Sequence, residues 1–194
     1  MATEANQLTA LGIAGSLRGG SFNRGLIRAA VDLAPADVRV VPHDLDELPL
    51  FNADVEALGD PDPVRRFKEA ISAADALLIA TPECNRCVPG VLKNAIDWAS
   101  RPPRRSVLTN KPVAIMGAWT GGGTARAQEH LRDGLGYTSG LVLPQPEVLV
   151  PFAEARFDEA GNLTDEATKE AIRDVLNALA AWVRQLRVGL DRAA

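Results

Sequence analysis

The chain has 194 residues, of which 46% are hydrophobic and 24% are charged, and its net charge is −4. This length and composition predict a single domain over residues 1–194, and the acidic balance argues against nucleic-acid binding. No apolar segment reaches the roughly 18 residues of a membrane span, residues 1–7 are unlike a signal peptide, and two cysteines are too few for a disulfide framework, so we expect a cytoplasmic protein.

An apolar run at residues 8–14 predicts the first strand, and a loop rich in glycine and serine at residues 15–23 leads from it into a helical pattern. A loop at this position directs unpaired backbone N–H groups and the positive end of the helix dipole towards one point, which favours an anion. Four side chains of the loop add hydrogen-bond donors suited to a terminal phosphate: Ser16, Arg18, Ser21 and Asn23.

The ligand class follows from what this loop lacks. It has neither the Gly-Lys-Ser/Thr of a Walker A sequence nor the three spaced glycines of a dinucleotide fingerprint, so a mononucleotide is the better fit. Considered alone, the segment is equally compatible with an ordinary turn between a strand and a helix, capped by a serine.

Four more apolar runs alternate with helical patterns along the chain. The runs are nearly continuous, which is typical of parallel strands buried on both faces. They lie at residues 38–41, 76–80, 113–118 and 140–143. Apolar residues at spacings of three or four predict helices around residues 26–31, 64–74 and 91–96, from near Thr124, and over residues 172–186 after a cap at Thr164.

Five strand–helix units in this order favour an α/β fold of three layers, a flavodoxin-like doubly wound five-stranded parallel sheet with strand order 2-1-3-4-5. Ligands of such sheets bind beyond the carboxyl ends of the strands, at the switch point between the first and third strands. The three unusual loops of this chain, residues 15–23, 81–90 and 117–124, all follow strands. We therefore expect them to meet at this edge of the sheet.

The second of these loops is made rigid by Pro82 and Pro89, and Pro89 also suits the first turn of a helix. A rigid polar loop beside a glycine-rich one presents backbone donors and acceptors to the edge of a planar heterocycle, which is what a flavin ring requires. The alternative is a plain turn with a proline at the start of a helix.

Three segments carry a family resemblance: residues 15–23, the run Thr81-Pro82-Glu83 with Asn85, and residues 89–98, which read Pro-Gly-Val-Leu-Lys-Asn-Ala-Ile-Asp-Trp. Together they resemble the NAD(P)H-dependent FMN reductase family, which includes quinone, azo-dye and chromate reductases. The resemblance runs from the first strand to residues 143–144. It implies a flavodoxin-like fold, non-covalently bound FMN, NADPH or NADH as the reductant, and a homodimer or homotetramer.

The resemblance also implies which residues hold FMN. Around the phosphate they are Ser16, Leu17, Arg18, Ser21, Phe22 and Asn23. Around the ring and the ribityl chain they are Pro82, Glu83, Cys84, Asn85, Gly117, Trp119, Gly121 and Gly122. The chain departs from the family at Cys84, where tyrosine is usual, at Cys87, where serine is usual, and at Trp119, which stands in a loop of small residues.

These departures leave alternatives open. Trp119 either stacks on the flavin ring in place of the missing tyrosine or packs in the core or in a subunit interface. Cys84 and Cys87 have the C-x-x-C spacing of dithiol redox sites. Two free thiols fit better, because both cysteines replace residues in a motif that is otherwise intact.

The resemblance implies electron transfer from NADPH or NADH through FMN to a quinone or another small acceptor, such as an azo dye, chromate or free flavin. The flavin carries this chemistry, so we expect no catalytic side chain, and the sequence offers no metal-binding set. The alternatives are an FMN electron carrier without NAD(P)H turnover of its own and an interaction protein that has lost its cofactor.

Overall fold

The computed structural model describes residues 7–191, with side chains to residue 189. The expectations for residues 1–6 lie outside this range. The strands are β1 Leu8–Ala14, β2 Val38–His43, β3 Ala76–Ala80, β4 Pro112–Ala118, β5 Leu141–Val142 and β6 Val148–Val150. The helices are α1 Phe22–Leu33, α2 Ala53–Ala57, α3 Asp62–Ala73, α4 Gly90–Ala99, α5 Ala125–Tyr137 and α6 Glu166–Asp191.

All the strands pair in parallel, in the order β2-β1-β3-β4-β5, which confirms the predicted doubly wound sheet. The central strand β3 is buried along its whole length, as its continuous apolar sequence indicates. In the register, Gly12 of β1 lies beside Leu78 of β3. This register aligns the carboxyl ends of β1 and β3, where the ligand edge was expected.

The sheet has one strand more than predicted. Strand β5 pairs with Pro112 and Val113 at the start of β4, whereas β6 pairs with residues 116–118 at its end. The interruption falls on Pro144 and Pro146. Neither proline has a backbone N–H for a strand ladder, so the fifth strand position is divided in two.

Helices cover both faces of the sheet. Helices α1 and α6 pack on one face, where Leu26, Ile172 and Leu176 are buried against the strands. Helices α3, α4 and α5 cover the other face through buried residues such as Phe67 and Leu92. Each of these five helices therefore buries an apolar stripe, as its spacing of three and four residues predicts.

Two local features differ from the sequence interpretation. Helix α6 is capped by Asp165, whose Oδ2 accepts a hydrogen bond of 2.9 Å from the backbone N–H of Thr168. The predicted cap, Thr164, instead donates its hydroxyl to the carbonyl of Arg156. The short helix α2, capped by Asn52, was not predicted, because five residues are too few to show a period. Within residues 7–191, no helix combines the length and the apolar character needed to cross a bilayer.

Candidate functional site

The three unusual loops meet at the carboxyl ends of β1, β3 and β4. The backbone N–H of Gly15 donates to the carbonyl of Ala80 at 2.8 Å, and that of Thr81 donates to the carbonyl of Met116 at 2.9 Å. These two bonds continue the sheet ladder beyond the ends of β1 and β3. The loops therefore leave the sheet side by side, as the predicted topology requires.

The loop between β1 and α1 presents unpaired donors. Across the described range, the backbone N–H groups of residues 16–20 form no hydrogen bond with another protein group. Ser21 caps α1, its Oγ accepting from the backbone N–H of Arg24 at 3.4 Å, and no acidic side chain lies in the first turn. This combination of exposed donors and a helix N-terminus suits an anion.

Two arginines border this loop and have different roles. The guanidinium of Arg18 lies 5.5 Å from the centre of the Phe22 ring, in an exposed part of the loop. Arg24 donates from Nε to the carbonyl of Ser16 at 3.2 Å and forms an ion pair of 2.9 Å with Asp44. Arg18 is therefore placed to meet a ligand, while Arg24 holds the loop from behind.

Sequence reasoning missed Arg24. The signal was its place three residues after the capping serine, one turn into α1 and pointing back along the helix. Of the other residues predicted around the phosphate, Phe22 packs its ring on that of Phe157, with ring centres 5.0 Å apart. Leu17 is half exposed. Phe22 therefore offers a ligand its backbone N–H rather than its ring.

Asn23 is a clamp between α1 and β4. Its Nδ2 donates to the carbonyl of Ala118, and its Oδ1 accepts from the backbone N–H of the same residue, both at 3.0 Å. The side chain is buried, with 3% of the residue exposed. The amide is therefore committed to the end of β4, which differs from the sequence-based expectation that it donates to a phosphate.

The loop after β3 begins in the core and then turns outward. Thr81 and Pro82 are buried, and the hydroxyl of Thr81 donates to the carbonyl of Pro82 at 2.8 Å. Glu83 then reaches across to α5, where its Oε2 accepts from the backbone N–H groups of Arg126 at 3.1 Å and Ala127 at 3.2 Å. Glu83 thus supplies the cap that α5 lacks locally.

Thr124, at the N-cap position of α5, makes no capping hydrogen bond with its side chain. Its Oγ1 instead accepts from Nε2 of Gln128 at 3.0 Å. The helix therefore depends on a carboxylate from another loop for its first N–H groups.

The next four residues form a tight hairpin. The backbone N–H of Cys84 donates to the carbonyl of Cys87 at 3.1 Å, and that of Cys87 donates to the carbonyl of Cys84 at 2.9 Å. Between them, Asn85 and Arg86 have φ values of 50° and 62°, as in a type I′ turn. Both cysteines are exposed and carry free thiols. Asn85 therefore lies in the turn itself, and Cys84 lies at its base.

The loop after β4 approaches the loop after β3 closely because residue 117 is glycine. A Cβ at Gly117 would lie 2.3 Å from Oγ1 of Thr124 and 2.4 Å from the carbonyl oxygen of Thr81. Further along, the indole of Trp119 lies over Gly121, and a Cβ at Gly121 would be 3.2 Å from it. With 37% of its surface exposed, Trp119 is not a core residue. Gly122 faces open space.

An apolar groove of about 340 Å³ begins at this hairpin and runs between α4 and α5. Cys87 and Val88 line the end of the groove at the hairpin, and His130 and the exposed Tyr137 line the side formed by α5. The sequence did not predict it, because neither helix alone shows an unusual face. Across residues 7–191, no three side chains of His, Cys, Asp or Glu cluster to hold a metal ion.

His43 is the last residue of β2, where it lines a surface cavity together with Ala14 and Arg24. Its ring packs on that of Phe67, with centres 5.2 Å apart. Burial lowers the pKa of His43 below its ordinary value, Asp44 opposes this shift, and Arg66 adds to it. His43 therefore favours the neutral form, and it lies in β2, outside the three loops.

Comparison with known proteins places this geometry in a family. A family model described as NADPH-dependent FMN reductase matches residues 8–155. The chain is 49% identical, over 94% of its length and 99% of the relative, to the NAD(P)H-dependent FMN reductase PA1204 of Pseudomonas aeruginosa. It is 45% identical, over 91% of its length and 96% of the relative, to a 2-hydroxy-1,4-benzoquinone reductase of a Burkholderia species.

A solved structure agrees with these relatives. The NAD(P)H:(acceptor) oxidoreductase FerB of Paracoccus denitrificans, a flavoenzyme, superposes with a TM-score of 0.83 at 33% identity. The match covers 92% of this chain and 98% of FerB.

Proposed function

Because the chain belongs to the NADPH-dependent FMN reductase family, we propose that it transfers electrons from NADPH or NADH, through bound FMN, to a quinone. The relatives that support this proposal include reductases named for quinones and for FMN. Azo dyes, chromate and free flavin are further acceptors that we propose from the family resemblance. Because these relatives are named as enzymes, we favour a reductase over a protein that only carries electrons.

The observation that carries the proposal is the set of unpaired backbone N–H groups at residues 16–20, at the N-terminus of α1. Together with the Ser21 hydroxyl and the Arg18 guanidinium, this donor set fits the phosphate of FMN. Each charge-assisted hydrogen bond contributes about 1.5–3 kcal/mol, so a few of them suffice for micromolar affinity. The residues present therefore fit the cofactor at its phosphate end.

The ring end is proposed to lie between the other two loops. Glu83 and Gly117 hold these loops close together, the first by capping α5 and the second by leaving room for Thr124. Cys84, Asn85 and Trp119 are exposed near this junction, where they would line the ring or the ribityl chain. Gly121 and Gly122 complete the proposed lining, with Pro82 buried behind it.

When bound, FMN supplies the redox chemistry, accepting electrons from a nicotinamide and passing them to an acceptor. The chain's part is to bind and orient it. Backbone N–H groups and Arg18 hold the phosphate, and Arg24 keeps Ser16 in place behind the loop. We propose no catalytic side chain, since binding and orientation are all that these residues need to provide.

We also propose a cytoplasmic single-domain protein that assembles into a homodimer or homotetramer. Support for assembly comes from two leucines beside α2, Leu50 and Leu58, which are 84% and 91% exposed. Covering these two side chains with a partner subunit would remove apolar surface from water, which favours association. Light scattering on the purified protein measures the assembly, and a monomer at all concentrations would contradict it.

Anaerobic stopped-flow absorbance tests the proposed function. Mixing the FMN-loaded protein with NADPH or NADH should bleach the flavin band at about 450 nm, and a quinone added afterwards should restore it. Dithionite is the control for a reducible flavin. If dithionite bleaches the flavin and neither nucleotide does, the protein is an electron carrier and the proposal is wrong.

A further inference from the structure

The sequence contains two cysteines, and the structure places both at the base of one hairpin. Cys84 and Cys87 are joined by two reciprocal backbone hydrogen bonds, of 3.1 and 2.9 Å. In the sequence, the C-x-x-C spacing suggested a dithiol, but the otherwise intact motif around it favoured two independent thiols. The backbone pairing changes this, because it sets the two side chains opposite each other.

The separation of these residues suits a disulfide. In an antiparallel pair with both hydrogen bonds, the Cα atoms lie about 5.5 Å apart and the side chains emerge on the same face. Disulfides span Cα separations of about 4.4–6.8 Å. Opposed Cβ atoms of such a pair lie about 4.5–5.5 Å apart, whereas a disulfide brings them to about 3.5–4.5 Å. An S–S bond between Cys84 and Cys87 therefore requires side-chain rotation and an approach of the two arms of the hairpin by about 1 Å.

The turn holds this arrangement at a conformational cost. Asn85 tolerates the left-handed region, but Arg86, at a φ of 62°, does so rarely. Backbone conformations of this kind persist where the surroundings fix them, and they cluster at functional sites. The hairpin therefore keeps the two thiols opposed before any bond forms.

We propose that Cys84 and Cys87 form a reversible intramolecular disulfide, with hydrogen peroxide as the oxidant. One thiol attacks the peroxide, whose O–O bond breaks to give a sulfenic acid and water. The other thiol displaces the sulfenic oxygen as a second water, forming the S–S bond. In sum, two S–H bonds are lost and two electrons and two protons pass to the peroxide.

Solvent access makes the step reversible. Both cysteines are exposed, so a small thiol can attack the disulfide to give a mixed disulfide, and a second thiol can then release the reduced pair as the two small thiols become a disulfide. The bond would close the hairpin between Glu83 and Pro89, in the loop proposed to line the flavin. The proposal goes beyond the reductase activity and does not depend on it, because it concerns the thiols themselves.

The test uses the full chain, reduced with dithiothreitol, freed of it and treated with stoichiometric hydrogen peroxide. Thiol titration should fall from two thiols to none, and the intact mass should fall by about 2 Da, the mass of two hydrogen atoms. Dithiothreitol should restore both values. A mass gain of about 16 Da per oxygen without this loss, or a disulfide-linked dimer, would overturn the proposal.

Turn variants separate a preorganised pair from two reactive thiols. The substitution Arg86→Gly introduces a residue that adopts positive φ freely, so the disulfide should form at least as fast as in the wild type. Asn85→Pro cannot adopt a φ of 50°, and formation should slow by about tenfold or more. Equal rates in both variants would show that the hairpin does not align the thiols and would also overturn the proposal.

Discussion

The carboxylate of Glu83 accepts a hydrogen bond of 3.1 Å from the backbone N–H of Arg126, the second residue of α5, although 43 positions separate them in the chain. The loop after β3 is thereby tied to the loop after β4. These are the two loops proposed to enclose the flavin ring. The shape of the proposed ring site therefore depends on a helix cap.

Replacing Glu83 by alanine should lower the free energy of unfolding by about 1 kcal/mol, the usual cost of a lost N-cap. FMN affinity should fall as well, because the two loops are no longer joined. Urea unfolding and flavin fluorescence titration measure the two effects. The matched control is Glu129→Ala, which removes an exposed ion pair with Arg126 from the same helix and should change stability by less than about 0.5 kcal/mol. Equal effects of the two substitutions would show that Glu83 does not act as a cap.

Gly117→Ala should destabilise the protein by about 1–3 kcal/mol, because its Cβ overlaps the carbonyl oxygen of Thr81. Gly122→Ala, in the same loop, adds a Cβ to open space and should change stability by less than about 0.5 kcal/mol. Thermal unfolding of both variants makes the comparison. If Gly117→Ala unfolds at the wild-type temperature, the two loops do not approach as closely as described.

Asn23→Ala should cost about 2 kcal/mol or more, since it leaves the buried N–H and carbonyl of Ala118 without a partner. Asn23→Asp should cost at least as much, because a carboxylate would face that carbonyl. Urea unfolding of the cofactor-free protein is the measurement. Wild-type stability combined with lost FMN binding would instead return Asn23 to the phosphate-donor role expected from the sequence.

The charge of Asp165 should make the free energy of unfolding depend on pH in the acidic range. The hydroxyl of Thr168 and the guanidinium of Arg156 hold the pKa of Asp165 below its ordinary value. Its charge therefore stabilises the fold at pH values above its unfolded pKa of about 3.9, and this contribution is lost as the pH falls through the lower folded value.

The substitution that isolates this charge is Asp165→Asn, since asparagine also caps helices. The unfolding temperature of Asp165→Asn should lie below that of the wild type at neutral pH. The difference between the two unfolding temperatures should become smaller below about pH 4. Glu170→Gln, in an exposed pair with Arg173, is the control and should show little change at any pH. A gap that stays constant down to low pH would contradict this role of the charge.

Much of the fold was predictable, because local pattern and burial agree. Strands β1 and β3 begin and end where their apolar runs do, since both are covered by helices on two faces. Strand β6 was missed because its apolar run, Val148–Val150, has only three residues and is separated from the predicted run at residues 140–143 by two prolines and two polar residues. Three residues are too few to show a strand pattern, so the sequence alone did not indicate this strand.

The site was predictable as a set of loops and much less so as a set of contacts. Residues 15–23 carry a local signal, glycine and serine before a helix. The clamp from Asn23 to Ala118 joins residues 95 positions apart, and the roles of Glu83 and Arg24 likewise arise from folding. Contacts of this kind depend on which strands are neighbours, so the sequence pattern does not specify them.

The central claim is that the loop from β1 to α1 binds the phosphate of FMN, and riboflavin, which lacks that phosphate, tests it directly. Affinities for FMN and riboflavin are measured by fluorescence titration in the wild type, in Arg18→Ala, and in the control Arg173→Ala, which removes the same charge from the surface of α6. We expect the wild type and the control to prefer FMN by about tenfold or more, and Arg18→Ala to narrow that preference. Equal affinity of the wild type for FMN and riboflavin would contradict the claim.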